Sequence, residues 1–538
     1  MSDSSSSRRR FLQQTAALGL LYGSRHSFAQ MHDMHQMSVA QKPIPDAPDK
    51  TVPMLHVLQL TPFVDALPVP ETMGVAHPGK LRITMREIQA KVHRDVPPTL
   101  MWSYGPTALA PIIEARSGQP LEIEWVNNLP TKHFLPIDHS LHGCGHDIPD
   151  VRTVTHVHGA RVPSKADGYP TDWFVPGKSR TCVYPLQQDA AALWYHDHAM
   201  GLNRLNTYAG LFGMFLVRDK VEDSLHLPSG KYEIPLTLYD RNFTTDGQLF
   251  YATSGDPDHP WIPEFTADGI LINGKIRPYL EVEPRLYRFR ILNTANSRFF
   301  GLSLDNHQSM IQIGSDQGLL PTPTEQKFFA LAPAERADVL IDFTHLAGQT
   351  IHLRTGALDI LQLRVASQTA SANPSVSVPK TLRTVERVPE ASAVTTRTIT
   401  LNEYQDRVQN PMVMLLNNKH WHEPTTEFPK LNTTEIWEFV NQTEDTHPMH
   451  IHLVRFQILD RRTFDTFQYM STKKMRYIAP AQPPRPSELG WKDTIQCPAG
   501  TVTRVIIRFE GYTGKYLYHC HILEHEANDM MRPFEVIA

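Results

Sequence analysis

Residues 516–530 read YLYHCHILEHEANDM, a strand-like run that leads into a His-Cys-His triplet. Side chains two apart on a β-strand point to the same face, so His519 and His521 present two imidazoles to one side. Cys520 lies between them, and its sulfur therefore points to the opposite face. The stretch predicts a strand that serves two separate metal sites.

The His-x-His pattern recurs along the chain. The 538 residues contain 27 histidines, so random placement gives roughly one such pair, yet five are present. The pair His420/His422 lies in a polar stretch with Asn and Pro and matches no partner pattern, so we interpret it as a surface turn. The other four pairs are His156/His158, His196/His198, His450/His452 and His519/His521.

These four pairs form an internal repeat. Residues 195–198 (YHDH) align with 518–521 (YHCH), and residues 155–159 (THVHG) align with 449–453 (MHIHL). Each end of the chain thus carries one early and one late pair, which is typical of two copies of one ancestral domain. We expect the pairs to meet between the two copies. Their eight imidazoles are too many for one ion and fit a cluster of Cu, Zn, Fe or Ni.

The sulfur of Cys520 indicates which metal is bound. His525 follows it by five residues and Met530 by ten. His447 lies three residues before His450, an odd spacing that turns it away from the face of that pair. Two His, one Cys and a weak axial Met form the ligand set of a blue-copper electron-transfer site.

These motifs resemble those of the three-domain multicopper oxidases, the laccase family. The matching segments are HVHG at 156–159, WYHDH at 194–198, HPMHIH at 447–452 and HCHILEHEANDM at 519–530. Flanking segments such as HRDVPPTLMWSYG, LPIDH and GWKDTIQ are similar to the branch of the bacterial spore-coat laccases and bilirubin oxidases. The resemblance covers essentially the whole chain after the N-terminal segment. It implies an enzyme with four copper ions that oxidises an aromatic donor one electron at a time and reduces dioxygen to water.

The resemblance also assigns roles to single residues. The type 1 copper ligands are His447, Cys520, His525 and Met530; the type 2 ligands are His156 and His450; the type 3 ligands are His158, His196, His198, His452, His519 and His521. Asp197 stands in the repeat position of Cys520, so the first copy is expected to have no type 1 site. Asp167 and Glu526 match carboxylates that supply protons to the cluster. The alternatives are a turn residue for Asp167 and a solvent-facing acid for Glu526.

The expected fold is all-β, with three cupredoxin-like Greek-key β-sandwiches at 45–220, 225–370 and 395–538. Short runs rich in Val, Ile, Thr and aromatic residues, together with 43 prolines, favour many short strands. The middle domain has no His-x-His pair and is expected to act as a spacer. Residues 371–394 are predicted to form a linker between the second and third domains.

The N-terminus is expected to direct export. Residues 7–12 (SRRRFL) are a twin-arginine signature, followed by a short apolar run and a small-residue cleavage site after Ala29. Residues 1–29 are therefore predicted to be a signal peptide and the protein periplasmic or secreted. Residues 30–44 are predicted to be a flexible tail, whose Met31–Met37 tract has soft copper ligands. Among the four cysteines, Cys144 and Cys182 flank the HVHG segment, and we expect them to form a disulfide and Cys497 to be free.

Composition limits the partners. The formal net charge of −4 argues against nucleic acid, and no run after the signal peptide is apolar for ~18 residues, so no stable membrane span is expected. We expect a monomer whose partners are dioxygen and a small aromatic reductant or Cu(I). A cuprous-ion oxidase for copper tolerance, a bilirubin oxidase-type enzyme and a copper-binding protein without turnover are the alternatives.

Overall fold

A computed structural model describes residues 52–74, 79–257, 259–368, 377–404 and 413–538. The predicted signal peptide, tail and Met31–Met37 tract lie outside these residues. The described strands form six β-sheets, two from each third of the chain.

Residues 72–218 build the first two sheets. Their strands are β1 (Thr72–Gly74), β2 (Gly79–Ala90), β3 (Thr99–Ser103), β4 (Ile112–Arg116), β5 (Leu121–Asn128), β6 (Thr155–His158), β7 (Ser179–Tyr184), β8 (Ala191–Asp197) and β9 (Phe212–Arg218). The strand orders are β1-β4-β9-β8-β6 and β3-β2-β5-β7. Residues of β5 alternate between buried and half-buried, the period of a strand that faces the core on one side.

Residues 233–365 build the next two sheets. Their strands are β10 (Glu233–Phe243), β11 (Leu249–Phe250), β12 (Gly269–Ile272), β13 (Lys275–Ile276), β14 (Tyr279–Val282), β15 (Leu286–Asn293), β16 (Phe300–Leu304), β17 (Met310–Ser315), β18 (Gly318–Gln326), β19 (Phe328–Leu331), β20 (Arg336–Asp342), β21 (Thr350–Thr355) and β22 (Leu358–Val365). One sheet has the order β13-β12-β10-β15-β20-β17-β18, with β11 paired to β10, and the other has the order β14-β22-β21-β16-β19.

Residues 393–536 build the last two sheets. Their strands are β23 (Ala393–Tyr404), β24 (Val413–Leu416), β25 (Thr433–Asn441), β26 (His447–Ile451), β27 (Phe456–Thr463), β28 (Thr494–Cys497), β29 (Thr501–Phe509), β30 (Gly514–Cys520) and β31 (Met531–Val536). The strand orders are β24-β23-β25-β29-β27 and β28-β26-β30-β31.

Each third of the chain contains the same long parallel pairing. β2 pairs with β5, β10 with β15 and β23 with β25, all in parallel. Because parallel neighbours require a crossover, each third has the non-sequential strand order of a sandwich rather than of a simple meander. The prediction of an all-β fold is confirmed, while the domain limits remain predictions.

Helices are few and short in the described residues. They are α1 (Asn203–Ala209), α2 (Lys220–Ser224), α3 (Thr466–Thr472) and α4 (Leu523–Ala527), with 3-10 turns at Val57–Gln59, Ser164–Ala166, Gly230–Tyr232, Glu390–Ser392 and Pro486–Glu488. In the described part of the chain, none of them has the length and apolar character needed to cross a bilayer. α1 and α4 matter for function because they follow the second and fourth histidine pairs.

The apolar core explains how distant histidines meet. One cluster of buried side chains contains residues of the first and the last pairs of sheets, including Trp125 and Trp437. A separate cluster fills the middle pair of sheets. Burying this shared apolar surface favours association of the first and last thirds of the chain.

The predicted Cys144–Cys182 disulfide is wrong, because all four cysteines are free and buried. Cys182 lies on β7, opposite Ile123 of β5. Cys144 lies in a loop, with its sulfur 3.5 Å from Nη2 of Arg152. Flanking the same segment in sequence does not place two side chains in the narrow geometry that a disulfide requires. Cys497 is free, as predicted.

Candidate metal centre

Two equivalent strand pairs carry the histidines. In β6 and β8, His156 lies opposite His196, and in β26 and β30, His450 lies opposite His519. One position further along each pair, Asp197 lies opposite Thr155 and Cys520 opposite Met449. The repeat seen in the sequence is therefore also a repeat of strand register.

The eight paired histidines converge in three groups, each with ligand atoms within 4.8 Å of one another. The groups are His156, His158 and His450; His158, His196 and His521; and His198, His452 and His519. All eight side chains are buried. In the last group, Nε2 of His519 lies 3.2 Å from Nε2 of His452 and 3.4 Å from Nε2 of His198. Two imidazoles bound to one ion at about 2 Å have such a spacing.

A fourth group lies on the other side of β30. Sγ of Cys520 is 3.5 Å from Nδ1 of His447 and 3.7 Å from Nδ1 of His525, and these two nitrogens are 3.2 Å apart. The backbone nitrogen of Met530 donates to the carbonyl oxygen of His525, and its carbonyl accepts from the nitrogen of Cys520. The buried Met530 is thus anchored to two members of the group.

Hydrogen bonds fix how the rings point. Nδ1 of His156 donates to the carbonyl of Asp167 (2.5 Å), and Nδ1 of His450 donates to the carbonyl of Asp493 (2.8 Å). Nδ1 of His452 donates to Oδ2 of Asp167 (2.8 Å). Each of these bonds leaves Nε2 to face the group, as partners outside a metal's ligand shell commonly do.

The nitrogens that remain fit metal ligands. Within the described chain, several buried ring nitrogens have no hydrogen-bond partner, among them Nε2 of His156, His196 and His450, Nδ1 of His158 and both nitrogens of His521. Buried polar atoms are nearly always paired, so this concentration requires an explanation. Copper ions supply one, because imidazole and thiolate are their protein ligands.

The protonation states also fit copper. Burial, reinforced by neighbouring imidazoles, lowers the pKa of most of these histidines; the pKa of His156 falls to about 3, although its bond to Asp167 opposes the shift. Neutral imidazole is the form that binds metals. Burial raises the pKa of the Cys520 thiol well above its usual value, so a thiolate there requires a nearby cation such as copper.

Comparison with known proteins agrees with this geometry. Three multicopper oxidase family models match residues 146–222, 237–354 and 387–538. The laccase of Bacillus subtilis (strain 168) is 46% identical over 510 residues, which cover 89% of this chain and 99% of that protein. The chain belongs to the multicopper oxidase family.

Solved structures of this family share the fold. The McoA multicopper oxidase of Aquifex aeolicus superposes with a TM-score of 0.74 at 28% identity, covering 89% of this chain and all of that one (100%). The laccase of Pediococcus acidilactici Pa5930 gives a TM-score of 0.72 at 26% identity, covering 89% and 96%. The predictions of cupredoxin-like domains, of copper as cofactor and of a laccase-like oxidase that uses dioxygen are confirmed.

Glu526 of this multicopper oxidase lies beside the third histidine group. It is fully buried on α4, which excludes the alternative of a solvent-facing acid. Its Oε2 is 3.1 Å from Nδ1 of His519, and its Oε1 is 3.4 Å from Nε2 of His198. Nδ2 of Asn203, on α1, donates to Oε1 at 2.6 Å.

Asp167 lies beside the first and third histidine groups. It ends the 3-10 turn Ser164–Ala166, so the interpretation as a turn residue describes its backbone. Its side chain contacts His452, and its carbonyl orients His156. Burial raises the pKa of Asp167 well above its usual value, which favours a carboxyl group that can hold a proton.

Asp493 is a residue to which the sequence assigned no role. Its Oδ1 lies 3.0 Å from Nε2 of His158, and its carbonyl accepts from His450. Arg336 pairs with it at 2.5 Å and Gln317 donates to it at 2.6 Å. Although burial favours the protonated form, the charge and hydrogen bonds of Arg336 hold the pKa of Asp493 well below its usual value.

Arg336 and Gln317 belong to the middle third of the chain. That region is therefore more than a spacer, because it neutralises the carboxylate that supports two histidines. The glycine of HVHG makes this approach possible: a Cβ on Gly159 would lie 2.6 Å from Oδ2 of Asp493. The quoted segments HVHG and GWKDTIQ contain Gly159 and Asp493, but no sequence pattern linked the two residues.

Proposed function

We propose that this enzyme oxidises phenolic or similar aromatic donors at a type 1 copper and reduces dioxygen to water at a three-copper cluster. The residues proposed to hold the four copper ions are His447, Cys520, His525 and Met530 for type 1, His156 and His450 for type 2, and His158, His196, His198, His452, His519 and His521 for the type 3 pair. Two of the groups combine histidines from both ends of the chain, and each fits one type 3 ion. They are His158/His196/His521 and His198/His452/His519.

One observation carries the proposal. Three consecutive residues contribute to three different ligand groups. Cys520 belongs to the group that also contains His447 and His525, which we call the thiolate site. His521 and His519 belong to two different histidine groups. The thiolate site and the cluster are therefore connected by the covalent bonds of residues 519–521, at the end of β30. Such a connection suits the transfer of single electrons from one site to the other.

The reaction also needs protons and positioned ligands. Bound copper ions supply the one-electron redox chemistry, and the chain supplies orientation and proton transfer. Reduction of dioxygen to water consumes four protons, and the surrounding imidazoles are committed as ligands. We assign proton supply to Glu526 and Asp167, whose buried carboxyls contact histidines of the cluster and act by general acid–base chemistry.

Oxygen uptake tests the choice of donor. With the full holoprotein, uptake is measured with a phenol, with Cu(I) and with bilirubin at equal reducing equivalents. The proposal expects oxygen uptake with the phenol. Oxygen uptake with Cu(I) but not with the phenol would favour the cuprous-ion oxidase. The Met31–Met37 tract on which that alternative rests lies outside the described residues.

Export is a further part of the proposal. Residues 7–12 support passage through the twin-arginine route and cleavage after Ala29. Replacing Arg8 and Arg9 by Lys is expected to retain the precursor in the cytoplasm, and N-terminal sequencing of exported protein checks the cleavage site. Size-exclusion chromatography tests the expected monomer.

A further inference from the structure

The imidazole of His447 has partners on both sides of its ring. Nδ1 faces Sγ of Cys520 at 3.5 Å, within the thiolate site. The other ring nitrogen, Nε2, lies 2.7 Å from Oγ1 of Thr443, a buried residue of the loop between β25 and β26. The outer side of this proposed ligand is therefore part of a hydrogen-bond network.

Asn441 sets the direction of the Thr443 hydroxyl. The amide nitrogen of Asn441 donates to the carbonyls of Asp445 (2.7 Å) and Cys497 (2.9 Å), so the amide oxygen is the atom that faces Thr443. That oxygen accepts from the Thr443 hydroxyl at 2.8 Å. A hydroxyl has one hydrogen to donate, so its lone pairs are left to accept from His447. Nε2 of His447 thus carries the proton, and Nδ1 can bind a metal ion.

A carboxylate lies beside the same nitrogen. Oε1 of Glu403 is 3.4 Å from Nε2 of His447. Because the hydrogen on Nε2 is directed to Thr443, Glu403 acts on the ring through its charge. The side chain of Glu403 is only 13% exposed, and no described Lys or Arg pairs with it. A charge in such a place is screened less than one on the open surface.

Strand pairing holds Glu403 in position. It lies near the end of β23, opposite Met414 of β24. Its neighbour Asn402 accepts a 2.6 Å hydrogen bond from Nε2 of Gln442, the residue before Thr443. This bond ties β23 to the loop that leads into β26, so the carboxylate and the hydroxyl approach His447 from two connected elements.

We propose that Thr443 and Glu403 are positioning residues of the type 1 site, and that the negative charge of Glu403 lowers its reduction potential. The inference rests on the proposed function, because it takes His447 as a ligand of the type 1 copper. Thr443 fixes the orientation and protonation of the ring, as partners outside a metal's ligand shell commonly do. A nearby negative charge favours Cu(II), the more highly charged state, over Cu(I).

Redox titration of the blue band in the full-length holoprotein at pH 7 tests the role of Glu403. Glu403→Gln keeps the size of the side chain and removes its charge. The reduction potential is expected to rise, on the order of tenfold in the Cu(II)/Cu(I) equilibrium constant, which is about 59 mV for one electron. Copper content and the position of the blue band are expected to stay at wild-type values.

Glu390→Gln is the matched control. Glu390 lies in the turn just before β23, at the other end of the strand that carries Glu403. Its side chain is 52% exposed and pairs with Arg504 at 2.6 Å. The same change of charge at this position is expected to leave the potential unaltered. An unchanged or lower potential in Glu403→Gln would overturn the proposal, and so would an equal rise in Glu390→Gln.

A second pair of variants separates charge from shape. Glu403→Asp and Glu403→Asn have side chains of equal size, so any loss of packing is common to both. The Asn variant is expected to have the higher potential, and equal potentials would overturn the assigned role of the charge. This comparison decides the question even if Glu403→Gln loses copper.

Thr443 is tested by competition with a copper chelator, followed by the loss of the blue band. Thr443→Val leaves the Nε2 hydrogen of His447 buried without an acceptor and is expected to weaken type 1 copper binding by roughly 10–100-fold. Thr443→Ser restores the hydroxyl and is expected to bind copper as the wild type does. Wild-type retention in Thr443→Val, or equal losses in both variants, would remove Thr443 from this role.

The titrations need neither an aromatic donor nor dioxygen. A wild type without a blue band would refute the proposed type 1 site and this inference with it. A wild type with the blue band, and with the same potential as Glu403→Gln, would refute only the role of Glu403.

Discussion

Replacing Glu526 by Gln removes a proton carrier while keeping the shape of the site. The glutamine oxygen can still accept the 2.6 Å bond from Asn203. Its amide group replaces Oε2, which lies 3.1 Å from Nδ1 of His519. The variant therefore keeps the contact between α1 and α4 and loses the ability to release and recover a proton beside the cluster.

Reoxidation of the reduced enzyme by dioxygen is expected to slow by roughly 10²–10⁴-fold, the usual range for loss of general acid–base catalysis. At about 1.36 kcal/mol per factor of ten, this range corresponds to a barrier higher by about 3–5 kcal/mol. Copper content and reduction by the donor are expected to change little. Glu526 is adjacent in sequence to His525, but its side chain is directed to the cluster histidines His198 and His519. Stopped-flow absorbance of the blue band measures each half-reaction separately.

Glu524→Gln is the matched control for this prediction. Glu524 is buried on the same helix, but it pairs with Arg204 at 3.4 Å and accepts from Asn296 at 3.2 Å. Breaking this buried pair is expected to cost about 3–5 kcal/mol of stability without slowing reoxidation. Unchanged reoxidation in Glu526→Gln would make Glu526 a bystander and leave Asp167 as the candidate. Loss of copper would show that Glu526 mainly supports the structure of the site.

Three further changes test other parts of the centre. Cys520→Ser is expected to abolish the blue colour and donor oxidation, because a hydroxyl cannot replace the copper–thiolate bond; retained colour would mean that another residue is the ligand. Met530→Leu is expected to raise the type 1 reduction potential, since removing a weak axial donor disfavours Cu(II). An unchanged redox titration would move that role to Met531 or to no side chain. Arg336→Met leaves Asp493 buried without its partner and is expected to cost about 3–5 kcal/mol in urea unfolding and to lower copper content; wild-type values for both would remove Arg336 from the support of the cluster.

The positions of the histidine groups could be anticipated from the sequence because strand geometry is local. The two-residue period places His519 and His521 on one face and Cys520 on the other, and no distant information is needed. The odd spacing of His447 likewise places it in the group of Cys520 rather than with His450.

The supporting contacts could not be anticipated, because they join residues far apart in the chain. Arg336 and Asp493 are 157 positions apart, and neither stands in a periodic pattern that points to the other. His142 and His422 are likewise far apart in the chain, and their rings stack only in the folded protein. The wrong disulfide between Cys144 and Cys182 shows the converse, since proximity to one motif in sequence gave no contact in space.

Metal analysis of the purified holoprotein tests the central claim most directly. After chelator treatment to empty exchangeable surface sites, copper and protein are quantified on the same sample, together with the blue absorbance. The four groups of ligands predict about four copper ions per chain, with one of them in the thiolate site. A reproducible value near one, with the blue band intact, would contradict the three-copper cluster.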